Sequence, residues 1–300
     1  MFNEIINEIG SPKKMTEKEF FKCLNDYLKG GKLDNAIDKF WNYRENIKNE
    51  IQQKYPNLVK QLAFYFLLLQ DINTFIKEAY ETNKNKDTVK YMINVCSKLF
   101  NKSLQTFIDI FGLMECGSVM NTFVLWRTIY ENYVIAKYIM ENTEEEAKLF
   151  NEYDVIQSYK LLKIKITPEQ KEKFIKKYGK DYNNDYSWAV GIKGKITFLK
   201  IVRKAKEKKY YKFYQLASYI GHSSSFSVNK GIILQDKNAN TNMIGFYTDE
   251  LTTSLNAIIS VMCEFANIMI NQFVDKKNKD LLERLSGYYG NKIINNWKQK

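Results

Sequence analysis

Two short stretches hold the residue types best suited to chemistry. In Thr122-Phe-Val-Leu-Trp-Arg127-Thr-Ile-Tyr-Glu131-Asn132-Tyr133, Arg127 and Glu131 stand four apart within the most apolar run of the chain, about 116–141. That spacing puts both side chains on one helical face, one above the other. A charge on so apolar a helix must be paired or must line a cleft. The pair therefore reads either as an anion-binding arginine oriented by a carboxylate or as a structural ion pair. The second stretch is Tyr210-Tyr211-Lys212-Phe213-Tyr214-Gln215-Leu216-Ala217-Ser218-Tyr219-Ile220-Gly221-His222-Ser223-Ser224-Ser225. Ser218 falls one turn before His222, the one histidine of the chain, and Gly221 lets the helix end beside it. Ser224 adds a hydroxyl and a backbone donor just beyond. Histidine titrates near neutrality and so suits proton transfer, although a helix C-terminus favours histidine by its dipole alone.

Other sites drop out. Gly191-Ile192-Lys193-Gly194-Lys195 echoes a phosphate loop, but its spacing is short and no Ser or Thr follows Lys195. A single histidine excludes multi-histidine metal centres within one chain, and no Glu-x-x-His exists for a helical di-iron site, since Tyr219 stands three before His222. The four cysteines form no Cys-x-x-Cys pair, so neither a zinc site nor a disulfide framework is indicated. No metal and no cofactor is expected. What is left can be assembled into RNA cleavage without a metal, which needs a base for the 2′-hydroxyl proton, an acid for the leaving 5′-oxygen and a cation for the crowded phosphate. His222 supplies the base or acid and Arg127 the cation, with Glu131 orienting Arg127. Tyr214, Ser218 or a residue of a second chain fills the remaining role, which makes a homodimer a natural expectation. The lysine-rich stretch 193–212, including Lys204, Lys208 and Lys212, leads into His222 and could hold an RNA backbone; it reads equally as a solvated helix face.

The order Arg127-x3-Glu131, then Tyr153 to Tyr159, Trp188, and Tyr211-x2-Tyr214-x3-Ser218-x3-His222-x-Ser224 resembles a family of uncharacterised bacterial all-helical proteins. The resemblance covers about 90–275 and leaves the first ~85 residues outside. More distantly that family resembles the HEPN helical bundles, many of which are metal-independent ribonucleases in toxin and phage-defence systems. The resemblance implies a bundle fold, a cytoplasmic RNA-targeting effector, and catalytic roles for Arg127, Glu131, Ser218 and His222, with Tyr214, Ser224 and the lysines on the substrate. The HEPN signature places a histidine four to six residues after the arginine; here Glu131, Asn132, Tyr133 and Val134 fill the positions that follow Arg127. The rival reading is a non-catalytic binding or regulatory protein, in which Arg127, Glu131 and His222 form a polar network or a small anion pocket.

The elements that must position these residues are helical throughout. Thr16-Glu17-Lys18-Glu19 and Thr143-Glu144-Glu145-Glu146 read as capping boxes, and Thr167-Pro168-Glu169-Gln170 sets a cap followed by proline at the first helical position. Gly30-Gly31 ends the first helix, and Asp87 can cap the fourth. The spacing predicts helices over about 33–53, 57–82, 87–111, 116–141, 143–165, 192–207, 209–221, 247–276 and 279–297. Residues 62–69 are apolar on all sides and predict deep burial on every face. Residues 178–188 read as an ordered loop, and 222–246 as irregular, with a short extended piece over 231–234. The fold class is all-α, a multi-helix bundle over 86–300 with an N-terminal helical extension over 1–85 that offers a surface to a protein partner.

Composition bounds the rest. Three prolines and 13 glycines in 300 residues argue against a turn-dense β-fold. The net charge of +12 suggests nucleic acid, yet only four of the 46 basic residues are arginine, the residue whose planar fork reads phosphate and bases. The start, Met1-Phe-Asn-Glu-Ile-Ile-Asn-Glu, lacks a basic segment and an apolar core, so no secretory signal is expected. The long apolar stretches carry Arg127, Glu131, Lys137 and Glu264, which suit buried helices rather than membrane insertion. With free thiols, a cytoplasmic protein is expected.

Overall fold

Helices begin where the sequence supplies their caps. Thr143 is extended (φ −109°, ψ 161°) and its hydroxyl accepts the Glu146 N–H. Thr167 and Gln170 satisfy each other's backbone donors in a full capping box, with Pro168 at the first turn. Thr16 and Glu19 do the same farther upstream. In a computed structural model that describes residues 15–27, 29, 33–83, 85–86, 88–222 and 251–298, the helices are α1 (Glu17–Tyr27), α2 (Leu33–Lys54), α3 (Pro56–Asn83), α4 (Lys90–Glu115), α5 (Val119–Met140), α6 (Glu144–Glu152), α7 (Asp154–Leu161), α8 (Pro168–Tyr178) and α9 (Phe198–Lys204), then, after a 3₁₀ turn at Lys208–Tyr210, α10 (Tyr211–Gly221), α11 (Leu251–Phe273) and α12 (Lys276–Lys298). Among the described residues there is no strand. The fold is all-α, a multi-helix bundle. Gly30-Gly31, Asp87, Ser224 and the irregular stretch 223–246 with its extended piece at 231–234 lie outside the described residues.

The chain divides into two compact units. The first takes in the described residues up to Pro56 together with Glu115–Gly117, and the second comprises Asn57–Met114 and everything from Ser118 onward. Residues 57–83, which a boundary at 85 assigns to the extension, thus fall with the bundle. In the first unit, Phe40 and Trp41 meet edge to face at 5.4 Å on α2.

The core of the second unit is built on α5. Trp126, Ile129, Tyr130 and Val134 have no exposed surface, nor have Ile258, Met262, Phe265 and Met269 of α11. Trp126 donates its indole N–H to the Ala257 carbonyl at 3.0 Å, and Phe265 lies between Phe100 at 5.1 Å and Tyr133 at 5.8 Å. Each such side chain contributes about 1.5–3 kcal/mol by leaving water. Ser254–Phe273 is long and apolar enough to cross a membrane by length and composition, and 61% of its apolar window is buried inside the protein. α10 runs antiparallel to α5. Phe213 meets Trp126 at 6.4 Å, and two turns later a Cβ on Gly221 would stand 3.4 Å from the Val124 methyl.

Three expectations need correction. The helix from Thr143 does not run to 165; it breaks at Tyr153, where α6 gives way to α7. Tyr153 is buried, and its hydroxyl donates to the carbonyls of Tyr182 and Asn184, so the ring serves the adjoining loop at the expense of a straight helix. The expected helix 192–207 begins only at Phe198, because Gly194 takes a left-handed φ of +71° that ends regular helix. Residues 62–69 are not buried on every face. Leu62, Tyr65 and Leu69 point inward with Ile72 and Ile76, whereas Phe64 and Leu67 are exposed. An inward stripe at helical spacing is all that packing requires.

The interior is rich in phenols, and this has a pH consequence. Burial holds Tyr65, Tyr130, Tyr133, Tyr138, Tyr178, Tyr186, Tyr210 and Tyr214 above the ordinary tyrosine value, and pushes Tyr153 up to about 12. The unfolded chain loses these protons near pH 10 while the folded chain keeps them, so the unfolded state binds fewer protons and stability falls as pH rises. Each such tyrosine removes about 1.4 kcal/mol per pH unit above roughly pH 10, until its folded value is reached. Urea midpoints measured from pH 8 to 11 at fixed ionic strength should be level at first and then drop steeply. A flat profile to pH 11 would show that the phenols are not sequestered.

Candidate functional site

Arg127 lies on α5 between two buried residues, Trp126 and Ile129, and its place on the helix turns it away from the core. Its guanidinium meets Glu131 one turn on, with both Nε and Nη2 at 3.3 Å from Oε1. The same carboxylate oxygen accepts the Tyr214 hydroxyl from α10 at 2.6 Å. The guanidinium also sits 5.2 Å from the centroid of the Tyr214 ring, a cation–π contact. Arg127, Glu131 and Tyr214 thus form one hydrogen-bonded group across the α5–α10 seam. Packing fixes the tyrosine from behind, through Phe198 at 4.7 Å and Tyr130 at 5.7 Å.

The electrostatics follow from this geometry. Partial burial works against the arginine's charge, but the Glu131 carboxylate and Tyr214 outweigh it and hold the proton more firmly than usual. Burial first, and then the hydrogen bond to Glu131 and its charge, keep the Tyr214 phenol well above its ordinary range. Near neutrality Tyr214 is therefore a hydrogen-bond donor and not a base. Tyr186 is raised too, by burial and then by the nearby Glu131 charge.

Ser218 and His222 continue the line of Tyr214 along α10 at intervals of four residues. The Ser218 hydroxyl donates back to the Tyr214 carbonyl at 2.9 Å. His222 is exposed and caps the helix in extended conformation (φ −105°, ψ 142°). Two turns separate it from Tyr214, about 12 Å along the axis, and it follows the glycine that abuts Val124. The structure therefore joins Arg127, Glu131 and Tyr214 directly, and sets Ser218 and His222 on the same side of α10 farther along. Lys204, Lys208 and Lys212 are exposed around the start of α10, with no hydrogen bond or ion pair to the cluster among the described residues.

Glu131 has a second neighbourhood that the sequence did not suggest. With Asn132 and Ile135 it lines a cleft of about 470 Å³ whose lining also includes Lys98 and Lys102 of the adjoining helix α4. Asn151, Asp154 and Gln157 of α6 and α7, with Asp185, Tyr186 and Trp188 of the following loop, complete it. The Lys98-x3-Lys102 spacing was a legible signal, since it puts both amines on one helical face. Nothing local shows that the face borders a cleft, because the loop 179–197 that completes the lining is distant in sequence.

Two further polar groups escaped the sequence reading. Lys137 pairs with Glu207, whose carbonyl accepts the Tyr130 hydroxyl at 2.6 Å. Glu264 of α11 accepts from Lys209 at 3.0 Å, Tyr210 at 2.9 Å and Tyr133 at 3.2 Å. Both tie the segment before α10 to the core and so fix where Tyr214 stands. Among the described residues no group of three or more His, Cys, Asp or Glu side chains is placed to hold a metal ion. No curated protein and no solved structure matches the chain. Residues 93–240, which carry Arg127, Glu131, Tyr214, Ser218 and His222, match the model of a family of unknown function (DUF5677).

Proposed function

We propose that the chain is an HEPN-like helical effector that acts on RNA as a metal-independent endoribonuclease, with Arg127 on the phosphate and His222 in proton transfer. The observation that carries this reading is the exposure of the cluster: the Arg127 and Glu131 side chains keep 33% and 24% of their surface open. The guanidinium is therefore open to a ligand from solvent. In the proposed step His222 takes the 2′-hydroxyl proton, and the 2′-oxygen attacks the adjacent phosphorus. The bond to the 5′-oxygen breaks, giving a 2′,3′-cyclic phosphate and a 5′-hydroxyl. Arg127 stabilises the charge gathering on the phosphate oxygens, and Glu131 with Tyr214 holds its guanidinium in place. The leaving oxygen takes its proton from a second acid, a role that a second copy of the chain would fill in a homodimer. Lys204, Lys208, Lys212 and Ser224 are proposed to contact the strand, and residues 1–85 to contact a protein partner. The proposed setting is a cytoplasmic toxin or phage-defence system.

A second reading has its own observation. The guanidinium already meets Glu131 and the Tyr214 ring, and the Ser218 hydroxyl is committed to the Tyr214 carbonyl. These commitments fit a non-catalytic binding or regulatory protein with a polar network or small anion pocket. The two readings part on one experiment: incubation of total cellular RNA with wild type and His222→Ala in excess chelator. The nuclease reading expects cyclic-phosphate ends from wild type and a loss of about a hundredfold in the variant. Intact RNA with wild type at micromolar protein would overturn it and leave the network reading.

A further inference from the structure

We infer that the cleft beside Glu131 is a nucleotide-binding site, taking a phosphate on Lys98 and Lys102 and an amino-bearing base on Asp154, Asn151 and Gln157. This goes beyond the proposed cleavage, since Lys98, Lys102 and Asp154 take no part in that step, and it holds whether or not RNA is cut. Size comes first. A cleft of about 470 Å³ accommodates one nucleotide and falls within the range of small-ligand sites.

Charge comes second. Three carboxylates and two amines line the cleft, which by count would favour a cation. Two of the carboxylates are already neutralised: Glu131 by Arg127 at 3.3 Å, and Asp185 by Lys160 at 2.9 Å. The Lys98 and Lys102 amines have no ion-pair or hydrogen-bond partner among the described residues, and neither has the Asp154 carboxylate. The cleft thus presents two uncommitted amines, one turn apart on α4, and one uncommitted carboxylate from α7. Its ligand should carry an anion at one end and hydrogen-bond donors at the other.

Shape and surface come third. Phe150 and Tyr186 supply apolar ring surface, backed by the buried Tyr153 and Trp188, and Asn151 and Gln157 add amide groups that pair with base edges. Asp154 can accept from an exocyclic amine, as carboxylates do from cytosine. A nucleoside monophosphate of adenine, cytosine or guanine satisfies all three conditions, whereas uracil lacks the exocyclic amine and offers only its N3–H. The same chemistry arises in a free nucleotide or in one residue of an RNA strand.

The test is calorimetric titration of the full chain with AMP, CMP, GMP, UMP, ribose 5-phosphate and a short oligoadenylate. Amino-bearing mononucleotides should bind better than UMP, and UMP better than ribose 5-phosphate. Lys98→Ala/Lys102→Ala should weaken binding at least about tenfold, and Asp154→Asn should narrow the gap between CMP and UMP. Circular dichroism of each variant should match wild type, since all three residues are exposed. Mononucleotide binding would identify a free nucleotide as the ligand. Binding of oligoadenylate alone, still lost in the lysine variant, would identify a nucleotide of a strand. Absence of binding by all ligands at millimolar concentration, or binding indifferent to the lysine changes, would overturn the assignment. Cleavage of RNA by wild type in the same preparation would keep that failure separate from a failure of the nuclease reading.

Discussion

Trp126→Ala should destabilise the protein by about 3–5 kcal/mol, the usual cost of emptying a fully buried large aromatic site. Trp126 has no exposed surface and stacks on Tyr130 at 5.4 Å with ring planes 7° apart. It meets Phe213 of α10 edge to face and donates to the Ala257 carbonyl of α11. One side chain therefore joins three helices. Truncation opens a cavity and also leaves that carbonyl without the indole donor, and the second cost adds to the first. Trp126→Phe keeps most of the ring area and should cost less than half as much. Urea unfolding followed by circular dichroism measures both. Because Phe213 and Tyr214 are neighbours on α10, slackening this contact should also free Tyr214 from Glu131, and any activity should fall further than the folded fraction explains. A shift under about 1 kcal/mol for Trp126→Ala would mean that the three helices are held by other contacts.

The same residues show how far a sequence can be read. The caps at Thr143 and Thr167 and the i, i+4 pair Arg127–Glu131 depend on residues within one turn of each other, and local spacing revealed them. Tyr214 was legible as part of a Tyr-x3-Ser-x3-His line on one face, but its partner was not. The bond from Tyr214 to Glu131 spans 83 residues and depends on α10 lying antiparallel along α5. The break at Tyr153 was hidden for a similar reason, since its cause is a pair of carbonyls about thirty residues downstream. The cleft was the least legible feature. Lys98, Glu131, Asp154 and Asp185 come from four segments, each ordinary by itself, and only the packing of α4, α5, α7 and the 179–197 loop turns them into a lined surface.

Arg127 is where the two functional readings make the sharpest separate demands. An i, i+4 pair a third exposed to water is worth only about 0.3–0.5 kcal/mol to stability, so Arg127→Ala should melt close to wild type. If the arginine stabilises a phosphate in the transition state, removing it should nevertheless lower the cleavage rate about 10²–10³-fold, the usual cost of losing one preorganised donor at a developing charge. Arg127→Lys keeps the charge but loses the two-nitrogen contact with Glu131 and the guanidinium's contact with the Tyr214 ring, so it should recover only a minor part of the rate. Glu131→Gln leaves the arginine in place and weakens what orients it; a loss of about tenfold is expected, with the affinity for RNA nearly unchanged. A network reading demands the opposite ordering. There the variants would differ in melting temperature and not in rate per folded molecule, and Arg127→Lys would be nearly neutral because a lysine can still pair with Glu131. Melting curves and single-turnover cleavage on the same four proteins decide between them, since a large rate effect on an unmoved melting curve has no structural explanation.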